Sequence, residues 1–555
     1  MKKLLFMVAM VLLSSTGFMN AQHQIEDLQL TYGEELDNDG YKILKIFGEK
    51  NDKIFALALK GKKDFALKTF DSETMQIIGT YSIEFPELKD KDLDFEEIYM
   101  LNNKIYALGS VYSKKEKTYR LVGTELSEEG VLGNGVILFE STVDKNSQRG
   151  SFYYKKGVNE NELLIMHTSY FKKEDAFKYE LKLFNDNMEE VFSDIDKVQF
   201  DDNKKDFDFN IADFEVNFNG DVFLVTNESY RDKKKKEKVE KFQVFAYKRE
   251  KSYAKEVIDI QVKDKEIINC ELMSTNQNTL KLVGFFSSVR ESGRANRNLR
   301  GVYEGTIDLT GATEPDMHFN DFDYETKEKL LGERKAKKDK DLKPLYRIHS
   351  LIEKEDGGLL ILSEYAMVII GDKSGIGPLG VRPITYVTNE IIVTSLNPDG
   401  SIAWTNVVAK DQDATVTELS FNIFFIGSSG NVAVGAGFAI PLTTMGKGPE
   451  YLSAIPMYED GKLYVLFNDN KKNMGVTDMD EIKNMGNYNK AIPTLFIFDE
   501  NGNLERKDPE EILKNELVIR PGVFYRKSPK DYIIYASRKR EDKLGRLKLE
   551  AEASK

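Results

Sequence analysis

Between residues 94 and 140 the apolar positions fall into four short runs separated by polar turns. The runs are 95–101, 105–111, 119–126 and 135–139. Between them lie Asn102-Asn103, the polar stretch 113–117 and Glu128-Glu129-Gly130. Asn, Asp and Gly tolerate the positive φ of tight hairpin turns, so the pattern predicts four antiparallel strands in about fifty residues. A four-stranded unit of that length, repeated along a chain, is the sequence form of one β-propeller blade.

The turn before the second strand recurs. It stands at Asn51-Asp52, Asn102-Asn103, 159–161, Asn219-Gly220, 276–278, Asp356-Gly357, Asp460-Gly461 and 528–530. After each marker comes an apolar run, such as 54–59, 163–166, 222–225, 280–283, 359–362, 463–467 or 532–535. Most of these runs are apolar at every position, which implies burial on both faces. Outer strands alternate instead, as in Tyr179, Leu181 and Leu183 against Glu180 and Lys182. The fold class expected is all-β: a single closed propeller of four-stranded antiparallel blades. Eight blades are counted, with seven or nine also compatible.

The last unit offers only three strands, at 523–525, 532–535 and 544–549. Near the start, Leu28, Leu30 and Tyr32 alternate with Gln29 and Thr31. This N-terminal strand is expected to complete the last blade and remove a free edge. Later repeats are longer, and the insertions fall at 320–344, 371–384, 411–451 and 468–490. The third of these holds an extra hairpin around Ser428-Ser429-Gly430, readable as an incomplete blade or as an excursion. A short solvated helix is expected within 326–341, and a helix start at Asp508-Pro509-Glu510-Glu511. The long connections 229–239, 287–298, 371–383 and 468–490 all join strands two and three. They share a rim with the inter-blade excursions, so one face is decorated and the other plain. Long loops on a rigid scaffold commonly carry function.

Residues 1–21 have the parts of an export signal: Lys2 and Lys3, an apolar core at 4–13, and a cut after Ala21. The mature protein, 22–555, is expected in the periplasm or outside the cell. No cysteine follows the cut, so no lipoprotein anchor is expected, nor any membrane insertion. Loss of the two lysines takes the net charge from −13 to −15, which disfavours nucleic acid as a partner. The single cysteine, Cys270, sits in an apolar stretch and reads as a buried thiol.

On the decorated face Arg290, Arg294, Arg297 and Arg300 cluster beside one acid, Glu291. They are the candidate ligand-binding residues, suited to carboxylate, phosphate or sulfate; pairing with neighbouring loop carboxylates is the alternative. The lysines at 233–238 read as a solvated hairpin tip. Four histidines, His23, His167, His318 and His349, are dispersed, so no zinc site is expected and no cofactor is implied. Glu35, Asp37, Asp39 and Gly40 imitate a calcium loop but lack a carboxylate at the twelfth position, Ile46, which favours a hairpin turn. Asp478, Asp480 and Glu481 suit either a calcium loop or a helix start.

The run Asn397-Pro398-Asp399-Gly400-Ser401-Ile402-Ala403-Trp404 resembles the Asp-Gly…Trp unit of quinone-type bacterial propellers. It occurs once and with the only Trp, so it implies no quinone enzyme. The chain is similar to exported bacterial β-propeller proteins as a broad class. That resemblance implies a fold compatible with scaffolds and enzymes alike. Two functions are in view: a non-catalytic binding or scaffolding module for a protein or glycan, and a secreted glycan- or ester-cleaving hydrolase with carboxylates at the channel mouth.

Overall fold

Asn and Asp side chains place their own backbone in the left-handed region at the marker turns. Asn51 and Asp52 have φ of 51° and 57°, Asn102 and Asn103 of 44° and 65°, Asp460 and Gly461 of 50° and 74°. Both central residues at positive φ match the turn to the right-handed twist of the strands it joins. A computed structural model describes residues 20–549 except 38, 62, 86–87, 89–91, 144, 172–175, 200–203, 235–237, 263, 277, 290–295, 312–314, 373–380, 420–427, 430–431, 435–447, 489–490, 511–516 and 539–540.

The chain is all-β, and its strands form eight antiparallel sheets in sequence order, consistent with a β-propeller. They span 42–82, 94–142, 151–199, 204–260, 265–321, 346–419, 454–507 and 518–549. Seven of the eight markers lie between the first two strands of a sheet; in the fifth, the short strand Lys265–Ile267 and then Glu271–Asn276 precede the marker, and both pair with Thr279–Ser288. The N-terminal strand Leu28–Tyr32 pairs antiparallel with Glu541–Leu549 and supplies the eighth sheet's fourth strand. A further strand, Asn20–Ile25, pairs outside it. Leu28, Leu30 and Tyr32 face inward, as the alternation predicts.

Period-two geometry explains why the second strands are apolar throughout. Successive residues point to opposite faces, and each face meets a different neighbouring sheet. Leu282 packs towards the fourth sheet while Val283 packs towards the sixth. Ile361 and Leu362 divide in the same way between fifth and seventh sheets, and Val465 and Leu466 between sixth and eighth. Leu57 with Ile98, Leu108 with Ile165, and Leu181 with Leu224 join the first four sheets. Ile533 of the eighth sheet shares a cluster with Ile54 of the first. Shared cores therefore run from each sheet to the next, and from the last back to the first.

Several expected loops are strand. The second and third strands of the fourth sheet extend to Asp232 and resume at Lys238, so the connection is 233–237 rather than 229–239. In the sixth sheet Ile402–Leu419 continues through the first nine residues of the expected 411–451 insertion. The described part of the extra hairpin, Ser428–Ser429 with Val432–Val434, joins the fourth sheet: Val432–Val434 pairs in parallel with residues 209–211. The expected helix is Tyr324–Leu331, capped by the Asp323 carboxylate accepting from the Thr326 amide at 2.7 Å. It is seated rather than solvated, because Thr326 and Lys327 are buried. Asp39-Gly40 is a turn, but in the crossing between eighth and first sheets rather than in a hairpin. The helix expected after Asp508 falls on 511–516, outside the described residues, as do residues 1–19 of the export signal.

Candidate functional site

The two rims are built differently. On the short-turn rim the loops of neighbouring sheets are stitched together by hydrogen bonds to backbone carbonyls. Tyr106 donates to the Asp186 carbonyl at 2.8 Å, Asn159 to the Phe218 carbonyl at 2.7 Å, and Asn406 to the Gly502 carbonyl at 3.0 Å. Trp404, the residue of the Asp-Gly…Trp resemblance, belongs here. It stacks on Phe498 at 5.7 Å, donates to the Glu500 carbonyl at 2.9 Å and lies against Gly502. Its role is to pin the sixth sheet to the seventh.

The opposite rim carries three constructions over buried ions. The first is a wing. In the sixth sheet the strand Tyr346–Glu353 ends its pairing at Tyr365. Leu359–Ile370, Val381–Leu396 and Ile402–Leu419 run on together beyond that point. Val368, Ile384, Tyr386, Ala414 and Val416 form one apolar face, packed with Leu452 and Tyr488. At its base Glu364 is fully buried, with Arg347 at 2.7 Å and Lys410 at 3.1 Å. Burial opposes ionisation of Glu364, but the Lys410, His349 and Arg347 charges hold its carboxyl down at about 2. Lys410 also donates to the Thr388 carbonyl at 2.8 Å.

The second is a strap, 448–453, which crosses from the wing to the eighth sheet. The Ser453 hydroxyl donates to Glu364 at 3.0 Å and its amide to Gln412 at 2.9 Å. The Tyr451 hydroxyl meets Ser537 at 2.7 Å. Buried Glu450 faces the guanidinium of Arg520 at 3.7 Å, and Arg520 lies over the Tyr451 and Tyr535 rings. The third is a clamped loop after Lys462–Asn470. Buried Arg506 reaches Asp469 at 3.0 Å and Asp508 at 2.9 Å, and donates to the Val476 carbonyl at 2.8 Å. Asn473 donates to Asp469 and to the Lys483 carbonyl, both at 2.8 Å, while the Lys483 amide donates back to Asn473. Asp478 and Asp480 sit in a turn of this loop, the Asp480 amide donating to Asp478 at 2.9 Å, rather than in a helix.

The arginine patch is divided. Arg290 and Arg294 lie outside the described residues. Arg297 is exposed with φ of 60°, its charge acting on Asp208. Arg300 is taken up by the rim itself, meeting Asp321 at 2.7 Å, Asp339 at 2.6 Å and Asp341 at 3.3 Å. The lysine tip at 233–238 is described only in part.

Sequence reasoning missed a carboxylate cluster on the first strands of the third to fifth sheets. Lys155 meets Asp213 at 3.2 Å. Asp213 also accepts from the Leu272 amide at 2.9 Å, and Glu215 from the Ser274 amide at 2.7 Å. Burial and the Asp213 charge push the neighbouring Glu271 carboxyl up to about 8. Burial opposes the Lys155 charge, but Asp213, Glu215 and Glu271 hold it up at about 12. A protonated acid beside an ionised one can give and take a proton near neutral pH. The available signal was the pairing of Asp213 and Glu215 two residues apart on a strand whose alternate positions, Ala212, Phe214 and Val216, are apolar.

The Glu271 shift has a measurable consequence. An acid with a raised folded value contributes its full stability below the unfolded value, near 4.3, and loses it as pH rises through about 8. Stability of the wild type is expected to fall from pH 5 to pH 8.5, and Glu271→Gln to flatten that slope in denaturant titrations. Parallel slopes in the two proteins would refute it.

Buried His167 meets Ser141 at 3.1 Å and the Arg149 carbonyl at 2.7 Å, and burial lowers it to about 4. His318 pairs with Asp316, and His23 lies in the first strand. Cys270 is buried, and burial pushes its thiol up. Among the described residues no group of three or more His, Cys, Asp or Glu is placed to hold a metal ion. Among them, too, no helix is long and apolar enough to cross a membrane.

No protein-family description matches the chain, and no curated protein does. Solved structures do. The β-propeller domain of the trilobed protease from Pyrococcus furiosus is 5% identical, with a TM-score of 0.31 over 69% of this chain and 99% of that one. Prolyl oligopeptidase B from Galerina marginata is 8% identical, with a TM-score of 0.34 over 92% of this chain and 55% of that one. A puromycin hydrolase is 8% identical, with a TM-score of 0.24 over 64% of this chain; the chain spans 59% of its length. At these scores the likeness carries no inference about chemistry, and the architecture rests on the chain's own sheets and shared cores.

Proposed function

We propose that this chain is an exported, non-catalytic binding and scaffolding module: a closed eight-bladed propeller whose working surface is the rim of wing, strap and clamped loop. A protein or glycan is the partner. One observation carries the reading. The buried ion groups of Glu364, Arg506 and Arg520 hold surface segments of the decorated rim, tying wing, strap and loop to the sheets beneath them. Buried ion pairs add little net stability and are better suited to fixing one geometry. A surface ordered before contact loses less entropy on binding. Arg290, Arg294 and Arg297 enter this reading as contacts for acidic groups of the partner, Arg300 being held by Asp321, Asp339 and Asp341.

The test is site-specific photo-cross-linking in the native cell envelope. A cross-linker replaces exposed Lys472 on the decorated rim, or exposed Asn501 on the plain one. Discrete adducts from position 472 and none from 501 support the reading. Equal adducts at both positions, or none at either, overturn it.

A second reading is favoured by Asp213, Glu215 and Glu271: a hydrolase acting on glycans or esters at the channel. Turnover of a polysaccharide and aryl-ester panel, lost in Asp213→Asn and Glu271→Gln, would establish it. An inert wild type would remove it.

A further inference from the structure

Two basic stretches far apart in the chain are set side by side. Residues 296–300 end the connection from Thr279–Ser288 to Gly301–Asp308 in the fifth sheet, and residues 333–343 belong to the excursion between the fifth and sixth sheets. An antiparallel bridge joins them. The Leu299 amide donates to the Leu342 carbonyl at 2.8 Å, and the Leu342 amide to the Leu299 carbonyl at 3.0 Å. Both leucines are buried in the core shared with the sixth sheet, which anchors the bridge from below. Asp339 meets Lys327 and Arg300, each at 2.6 Å, and Asp341 accepts from Asn296 at 2.7 Å. Buried Ala336 seats the segment between them.

Those contacts use up the acids and leave the bases. Residues 333–343 carry Arg334, Lys335, Lys337, Lys338, Lys340 and Lys343 against Glu333, Asp339 and Asp341. Glu333 pairs with Lys337, and the two aspartates are engaged by Arg300, Lys327 and Asn296. Arg334, Lys335, Lys338, Lys340 and Lys343 are all exposed, and among the described residues none of them is in an ion pair. Exposed Arg297 stands two residues from the bridge on the facing segment. On a chain of net charge −13, these cations on one seated strip make a local field of the opposite sign.

We propose that this strip binds an acidic polysaccharide, a linear glycan bearing carboxylate or sulfate groups. Charge complementarity selects an anionic partner, and the make-up of the strip selects a glycan among anionic partners. Protein interfaces are anchored by buried aromatic and aliphatic side chains and are depleted in lysine. Here lysine predominates, and the one large exposed hydrophobic residue of the excursion is Tyr324, 43% exposed. Duplex nucleic acid is stiff and would press its phosphates on the negative surface beyond the strip, whereas a flexible glycan follows the cations alone. Each exposed charge contact is weak, but contacts repeated along one regularly charged chain reinforce each other. The inference names the partner class within the reading above and rests on it for the role of Arg297. The cross-linker at Lys472 reports the rim and the assay below reports the strip, so either can fail alone.

The experiment is calorimetric titration of the mature chain at low salt with dextran sulfate, polygalacturonate and neutral dextran. The wild type is expected to bind at least one of the two acidic polymers and not neutral dextran, with affinity falling as salt is added. The triple variant Lys335→Gln, Lys338→Gln, Lys340→Gln should raise the dissociation constant at least about tenfold. A control with the same change of charge, Lys114→Gln, Lys115→Gln, Lys145→Gln, alters exposed lysines of the second sheet's connections and should bind as the wild type does. No binding of either acidic polymer by the wild type overturns the proposal, and so does binding that survives the first triple variant. Equal loss in both triple variants overturns it by assigning the attraction to overall charge. Tighter binding of a DNA duplex or of phosphatidylglycerol vesicles than of either polymer overturns the glycan as partner. Unchanged melting of the first triple variant separates loss of binding from loss of fold.

Discussion

Leu30→Asp is expected to remove most of the protein's stability. Leu30 is 1% exposed and lies in the cluster joining the seventh and eighth sheets, on a strand drawn from the opposite end of the chain. Losing a buried leucine side chain costs about 2–5 kcal/mol, and placing an unpaired carboxylate there adds to that. A loss of about 5 kcal/mol or more is comparable with the whole stability of many domains. The effect should exceed that of a similar change within one sheet, because this strand brings the two ends of the chain into a single sheet. Gln29→Lys, on the half-buried face of the same strand, should change stability by no more than about 0.5 kcal/mol. Denaturant midpoints of the two variants check this, and similar midpoints would contradict it.

Glu364→Ala is expected to have the second largest effect. It leaves Lys410, fully buried, without its carboxylate, and takes from Ser453 the acceptor that holds the strap. Breaking a buried pair from one side costs about 3–5 kcal/mol. Replacing Glu364 and Lys410 together by methionine should recover most of that, which distinguishes an orphaned charge from simple loss of packing. The same carboxyl makes the base acid-sensitive. Its folded value of about 2 lies below the unfolded one, so its contribution is complete above about pH 4.5 and is lost as pH falls towards 2. The wild type should therefore lose stability between those values, and a Glu364→Gln protein should lose less there.

What could be read from the sequence was local chemistry. The marker turns follow from Asn, Asp and Gly at φ values other residues avoid. The second strands follow from apolar runs that a two-neighbour packing requires. Leu28, Leu30 and Tyr32 placed the N-terminal strand by alternation alone. Strand lengths on the decorated rim were harder, since 411–419 alternates Asp411, Asp413, Thr415 and Thr417 outward and reads as polar loop. The rim's ion groups were not legible, because each joins residues far apart in sequence. Lys410 reaches back to Glu364, Arg506 to Asp469 and Arg520 to Glu450, and nothing local marks those partners. Arg300 shows the converse: the local run of arginines was legible, but the carboxylates of Asp339 and Asp341 that meet Arg300 were not.

The claim on which the functional account stands is that the decorated rim is preformed. Amide hydrogen exchange tests it most directly. The amides of Gly475, Lys483, Ser453 and Met485 donate to Asp508, Asn473, Gln412 and the Asp411 carbonyl at 2.7–2.9 Å. Although they belong to loops, they are expected to exchange at least about a hundredfold slower than free amides, with Gly475 and Lys483 released together in Arg506→Ala. Exchange at the free rate in the wild type would mean the rim is not held in one arrangement, and would contradict the account.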